Sequence, residues 1–314
     1  MYSGIQKASI VIDEVKKAII GKDDLIIKIL SAILAKGHIL IEDIPGVGKT
    51  TLAMAFSRAL SLKHRRMQFT PDVMPSDVTG FTIYNKETQK FVYRPGSVMC
   101  HLFLADEINR TSSKTQSALL EAMEEGRVTV DGVTRELPKP FIVIATQNPA
   151  GAAGTQLLPE SQMDRFMVRL SMGYPDKASE IGMLKGRLND EYMDAVQKII
   201  TSEELLQIQN EVEQIYVHDK VYEYIVHLVS QTREHGYIQL GISPRGTIAL
   251  LRMSKAIAYL NDRTYMIPDD VRSIFYDVAA HRILLSSKAR INSVDVPMVI
   301  RDILQKTKAP VFKE

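Results

Sequence analysis

Short apolar runs punctuate the first ~175 residues at "HILI" (38–41), "MQF" (67–69), "HLFLA" (101–105), "FIVIAT" (141–146) and "FMVRL" (166–170), with helix-like stretches between them. Strand-length runs alternating with helical stretches predict a parallel sheet flanked by helices. After "GYPD" (173–176) no comparable run recurs and the pattern turns helical. "TSEE" (201–204) fits a capping box ahead of Leu205, Ile208, Val212 and Ile215, which share one helical face. Further helices are expected at about 219–235, 244–260, 268–284 and 296–306. The pattern predicts an α/β core over 1–174 and an all-helical second domain over 175–314, joined near Gly173–Pro175.

Two segments interrupt the alternation. "RVTVDGVTREL" (127–137) sets Asp131-Gly132 between alternating positions, the commonest sequence of a tight type I′ hairpin. "FTIY" and "KFVYR" bracket "NKETQ" (85–89) as a second strand-like pair.

Composition narrows the class. The chain has 314 residues, 45% hydrophobic and 24% charged, ordinary for a folded protein with room for two cores. No apolar run approaches the ~20 residues that span a bilayer, and charges interrupt the N-terminus where a signal peptide needs an apolar stretch. A cytoplasmic protein without a membrane span is expected. The single cysteine, Cys100, excludes an internal disulfide and thiolate metal sites, and its place before an apolar run predicts a buried thiol. A net charge of +2 provides no basic field of the kind that binds nucleic acid. The short run "KHRR" (63–66) reads as a solvated face.

"HILIEDIPGVGKTTLAMAFSRAL" passes from a strand through a Pro/Gly loop into an amphipathic helix, the setting of a phosphate-binding loop. Gly46 and Gly48 let backbone N–H groups approach phosphate, and the new helix adds unsatisfied N–H groups and positive dipole. Lys49 would reach the β/γ-phosphates and Thr50 would place its hydroxyl on Mg²⁺. The generic pattern G-x-x-x-x-G-K-[ST] has glycine where this chain has Asp43. An aspartate there suits the turn leaving the strand, and its carboxylate is expected to point away from the nucleotide.

"LFLADEINR" (102–110) is an apolar strand ending in two acids. Asp106 fits a Mg²⁺-side carboxylate and Glu107 the base that polarises attacking water. "FIVIATQNP" (141–149) ends a second apolar strand in Asn148, able to hold water beside the γ-phosphate. Phosphoryl transfer also needs positive charge, which arginine can bring from a neighbouring molecule. Arg165 lies just before the last core strand, and Arg245 follows Ser243 and Pro244, an N-cap and a first helical position. From these residues alone, surface ion pairs are the better reading of both arginines.

In order, "GVGKTT", "QFTPDVMPSDVTG", "RPG", "LADEINR", "KTQSALLEAMEE", "VTVDGVT", "ATQNP" and "DRF", followed by "GYPD" and "GISPRG", resemble the MoxR family of AAA+ ATPases, from about Ile20 to Leu284. The resemblance implies an AAA+ P-loop core with a parallel five-stranded sheet of order 5-1-4-3-2, a helical lid, and an ATP-bound homo-oligomeric ring, expected to be hexameric. It assigns Lys49 and Thr50 to Walker A, Asp106 and Glu107 to Walker B, and Asn148 to sensor 1. Arg165 resembles the arginine finger and Arg245 the lid's sensor 2; Ile20 and Gly21 resemble the segment that contacts adenine. The implied nucleotide-binding set is Ile20, Gly21, Pro45, Gly46, Val47, Gly48, Lys49, Thr50, Thr51 and Arg245. The hairpin around Asp131-Gly132 and the 80–98 segment resemble the insertions of the helix-2-insert clade, shared with magnesium chelatases and replicative helicases.

The function so implied is chaperone-like remodelling of a protein client, powered by ATP with Mg²⁺ and assisted by a partner such as a von Willebrand A-domain protein. A nucleic-acid motor is the alternative, disfavoured by the near-neutral charge and the few basic residues at the hairpin tip. A slow nucleotide-gated scaffold is a third, disfavoured by the full set of Glu107, Asn148 and Arg165. GTP is disfavoured because "NKET" (85–88) lacks the final aspartate of a guanine-reading N-K-x-D.

Overall fold

A computed structural model describes residues 3–43, 46–148, 158–174, 177, 180–181 and 195–311. Pro45 and Pro175, and with the latter the predicted hinge, lie outside the described residues.

Five parallel strands form the central sheet: β1 (Ile39–Glu42), β2 (His64–Gln68), β5 (Leu102–Asp106), β8 (Ile142–Gln147) and β9 (Val168–Leu170). Their spatial order is β2-β5-β8-β1-β9, which in core-strand numbering is the expected 5-1-4-3-2. Register pairs Ile39 with Ile144 and Leu104 with Ile144, so β1, β8 and β5 end level with one another. Both faces are covered, which is why the central strands read as unbroken apolar runs. Ile39, Ile41, Leu102, Leu104, Ile142 and Ile144 enter one core cluster. Leu40, Phe103, Ala105, Val143 and Ala145 enter the other, as the two-residue strand period requires.

The first cluster does not stop at the sheet. Helices α1 (Gly4–Ala18) and α2 (Asp23–Leu34) contribute Val11, Val15, Ile26 and Ile33, and the same cluster continues into Leu205, Ile208, Leu250 and Phe275 of the C-terminal helices. The N-terminal helices thus bridge the sheet and the helical half. Those later helices span Ser202–Glu213, Asp219–Glu234, Pro244–Leu260, Pro268–Ala279 and Val296–Lys306. The first opens on the expected box, with Thr201 and Glu204 each capping the other's backbone N–H.

The helical half carries one addition to an all-helical reading, a two-strand antiparallel ribbon of β10 (Ile238–Leu240) and β11 (Leu284–Leu285). Strands of three and two residues are too short to leave an alternating pattern in sequence. The helix expected to reach 284 ends at Ala279 and gives way to a 3-10 turn, Ala280–Arg282.

Both interruptions are hairpins. β3 (Gly80–Asn85) pairs with β4 (Lys90–Pro95), and β6 (Arg127–Val130) with β7 (Val133–Glu136). Asp131 and Gly132 take φ of +51° and +76°, as a type I′ turn demands. The hairpins touch: Arg135 lies over the Tyr93 ring, 3.9 Å from its centroid.

Cys100 is fully buried, and desolvation pushes its thiol up to about 12. Among the described residues no helix is long and apolar enough to cross a membrane.

Candidate functional site

The carboxyl ends of β1, β5 and β8 and the start of α3 (Lys49–Ala59) surround a cavity of about 270 Å³. It is lined by Gly46, Gly48, Lys49, Thr50, Arg66, Gln68, Asp106, Glu107 and Asn148. Crevices beyond the carboxyl ends of parallel strands are where open α/β sheets bind ligands. Gly48 caps α3 at φ +95° and Gly46 sits at φ +84°, left-handed conformations that side-chain-bearing residues rarely adopt. Lys49 is buried, with its Nζ donating to the Asp43 carbonyl at 2.8 Å. Desolvation lowers its pKa, partly opposed by the carboxylates of Asp43, Asp106 and Glu107.

Across the cavity, Asp106 accepts from the Thr146 hydroxyl on Oδ1 at 2.7 Å and from Arg66 Nη2 on Oδ2 at 2.7 Å. Glu107 stands in left-handed backbone, φ 55° and ψ 48°, at a cost on the order of 1 kcal/mol for a non-glycine residue. That conformation turns its side chain from the strand into the cavity rim. Its Oε1 accepts from Asn148 Nδ2 at 3.1 Å; its Oε2 accepts from Gln68 Nε2 and Arg110 Nη1, each at 2.9 Å. Desolvation raises its pKa, but these hydrogen bonds and the Arg110 charge outweigh it and hold the carboxyl below the usual carboxylate range. Asn148 is itself fixed, its backbone N–H and carbonyl both meeting the Asn109 side chain.

"KHRR" is the solvated face expected of it, with Lys63, His64 and Arg66 exposed, but Arg66 also takes part in the site. β2 is an edge strand whose residues alternate in exposure, and Arg66 reaches from it to the neighbouring strand's Asp106, while Arg65 donates to the Gly96 carbonyl at 3.1 Å. Gln68, Thr146, Asn109 and Arg110 are the other site residues not singled out beforehand. Arg110 stands three residues beyond Glu107 on one short turn, a spacing visible in "DEINR"; the rest meet only through strand neighbours about 40 positions away.

Arg165 and Arg245 do not line this cavity. Arg165 donates to the Leu120 carbonyl at 2.8 Å and pairs with Glu124 Oε2 at 2.8 Å, while Arg245 pairs with Glu124 Oε1. Glu124 lies near the end of α5 (Ser113–Glu125). Ser243 caps the helix carrying Arg245 and also donates to Asp164 Oδ2 at 2.8 Å; Arg282, almost fully buried, pairs with Asp164 Oδ1 at 2.7 Å. The start of the Arg245 helix is thereby bound to the residue next to Arg165. Ile20 is exposed and Gly21 takes φ +72° between α1 and α2; neither lines the cavity. Val47 packs against the first core cluster, and Thr51 lies on the first turn of α3.

The Asp43 carboxylate turns to the chain that leaves the last core strand. Its Oδ2 accepts from the Ser171 hydroxyl at 3.0 Å and from the Met172 and Gly173 N–H groups at 2.5 and 2.7 Å, beyond the end of β9.

Residues 38–168 match the family described as ATPase family associated with various cellular activities (AAA), and residues 230–303 match the AAA lid domain. The YeaC protein of Bacillus subtilis is 46% identical over 96% of this chain and 94% of its own length. The chaperone MoxR1 of Mycobacterium tuberculosis is 36% identical over 95% of this chain and 81% of its own. A Cytophaga hutchinsonii protein of known crystal structure superposes with a TM-score of 0.91 at 38% identity, covering 98% of this chain and 96% of that one.

Proposed function

Because the chain belongs to the MoxR family of AAA+ ATPases, we propose that it binds ATP with Mg²⁺ in the Lys49 cavity and hydrolyses it to drive remodelling of a protein client. One observation carries the reading: Lys49 and Thr50 at a helix N-terminus share a single cavity with Asp106, Glu107 and Asn148 from two strand ends.

Each side chain has a task that its surroundings support. Lys49, buried beside three carboxylates, meets the β/γ-phosphates with a cation already desolvated. The Thr50 hydroxyl and the Asp106 carboxylate form an oxygen-only donor set, which fits Mg²⁺ shared with substrate phosphates. When bound there, Mg²⁺ would neutralise charge on the phosphates. Glu107, kept ionised, polarises the attacking water, and Asn148 orients it from the other side. The bonds to Arg110 and Gln68 hold Glu107 until water and phosphate are in place.

Arg165 and Arg245 lie together on Glu124 and away from their own chain's cavity, which favours their acting on ATP held by a neighbouring copy. Turnover then needs assembly, and a ring, expected to be hexameric, is the arrangement we propose. Residues 1–174 serve as the nucleotide-binding core and 175–314 as the lid. A von Willebrand A-domain protein is the partner class we favour, with the two hairpins as moving parts.

The test is steady-state ATP hydrolysis across a dilution series, with mass followed by light scattering. Activity per chain should fall as the assembly dissociates; no hydrolysis at any concentration would sink the proposal. Affinity capture by the ATP-loaded Glu107→Gln chain should retain partner and client together.

A further inference from the structure

The chain leaving β9 toward the helical half has its backbone groups satisfied by two side chains of opposite charge. Residues 171–174 are irregular, so their N–H and C=O groups have no sheet partners along this stretch. Asp43, 6% exposed, takes the donors: the Ser171 hydroxyl and the Met172 and Gly173 N–H groups converge on Oδ2. Lys22 takes the acceptors, its Nζ donating to the carbonyls of Met172, of Gly173 at 3.4 Å and of Tyr174 at 2.8 Å. A buried carboxylate meeting three donors is strongly held, and it fixes the chain where Met172 is buried, between the exposed Ser171 and Tyr174.

Asp43 belongs to the phosphate loop, and Lys22 adjoins a segment that only the family resemblance assigns to adenine. Asp43 opens the phosphate loop, and its carbonyl accepts Lys49 Nζ, the same ammonium that the ATPase reading assigns to phosphate. Lys22 directly follows the Ile20-Gly21 segment. Three stretches far apart in sequence, at 20–22, 43–49 and 171–174, therefore meet through two side chains and one carbonyl.

We infer that Asp43 and Lys22 are positioning residues that report occupancy of the phosphate loop to the exit of the last core strand. The inference rests on the ATPase reading. A triphosphate competes with the Asp43 carbonyl for Lys49, because its full negative charges attract the ammonium more strongly than a carbonyl dipole does. Lys49 then releases the Asp43 peptide, and the carboxylate on that residue alters its grip on Met172 and Gly173. Aspartate replaces the generic loop glycine because glycine has no side chain to carry this message.

The full-length chain tests it by amide hydrogen exchange over 171–174, with and without ATP, alongside equilibrium ATP binding and steady-state hydrolysis. In the parent, ATP should change exchange at Met172 and Gly173 by about tenfold. Asp43→Gly should exchange fast and alike in both conditions, with ATP affinity within about threefold of parental and kcat lower by about tenfold. Lys22→Met, which leaves the phosphate loop intact, should lose the ATP-dependent difference in the same way and covers the case in which Asp43→Gly does not fold. Asp43→Asn, which keeps an acceptor oxygen, should restore part of the response. An ATP-dependent change that persists in Asp43→Gly or Lys22→Met overturns the inference. So does a parent that binds and hydrolyses ATP with no change at 171–174, and in that outcome the ATPase reading survives. A parent that binds no ATP overturns both.

Discussion

Arg165 and Arg245, eighty positions apart, end on the two oxygens of one carboxylate, that of Glu124. The pairing puts both positive charges at one place, outside the cavity that holds Lys49. Substituting either by alanine should leave ATP affinity near parental and cut turnover by about a thousandfold, the scale of an arginine acting on a transferring phosphoryl group. Mixing Arg165→Ala with parental chains should depress activity below the additive value, since each lost arginine is felt in a neighbour's site. Strictly additive activity would count against action between subunits.

Glu107 is ionised and held by Asn148, Gln68 and Arg110. Glu107→Gln keeps the shape and loses the base, so ATP should still bind while turnover drops by about a hundredfold or more. Lys49→Ala should instead weaken binding. Equilibrium binding of a fluorescent ATP analogue, compared with phosphate release, separates the two; a Glu107→Gln chain that turns over at the parental rate would refute the base assignment.

Arg66 occupies Oδ2 of Asp106, the carboxylate we propose for Mg²⁺. Its guanidinium is half exposed, so the competition is modest. Arg66→Ala should lower the Mg²⁺ concentration for half-maximal activity by about threefold, in keeping with the worth of a partly solvated pair. A requirement that rises or stays fixed would show that Arg66 supports the metal site rather than opposing it.

The ring of His38, just before β1, ties that strand to β8 and to α5. Nδ1 accepts from the Val143 N–H at 3.1 Å, so Nε2 carries the proton that it donates to the Met123 carbonyl at 3.0 Å. Desolvation lowers its pKa to about 4 from the usual 6.5, partly opposed by the Met123 bond. Between those values the unfolded chain binds more protons than the folded one, so stability is full above pH 6.5 and declines as pH falls toward 4. The loss amounts to about 3 kcal/mol from this group at about 1.4 kcal/mol per pH unit, and buried His281, also lowered, acts in the same direction. Melting temperature across this range should fall, and less steeply in His38→Gln; equal slopes would exclude His38 as a source.

Much of this was written in local pattern. The strands buried on both faces read as apolar runs, Asp131-Gly132 declared its hairpin, and the Thr201–Glu204 box marked a helix start. The order of strands came through family resemblance, because nothing local encodes which strand sits beside which. Arg66 was legible as exposed but not as a partner of Asp106, which stands 40 positions away on the adjacent strand. Arg245 was legible as the start of a helix but not as a partner of Glu124, a contact made only once α5 and the helical half are packed together. Asp43 was legible as a departure from the generic loop pattern; its three donors beyond β9 required the fold.

The burial of Cys100 has a practical side. With its thiol pushed up to about 12 and no exposed surface, the chain's single cysteine is almost wholly protonated and shielded at neutral pH. The folded protein is thus a silent background for thiol-directed probes. A cysteine introduced at an exposed hairpin position, such as Phe91 or Val133, would be its one readily labelled atom, and with a second near Arg245 a pair of dyes would test whether the hairpins move relative to the helical half when ATP is added.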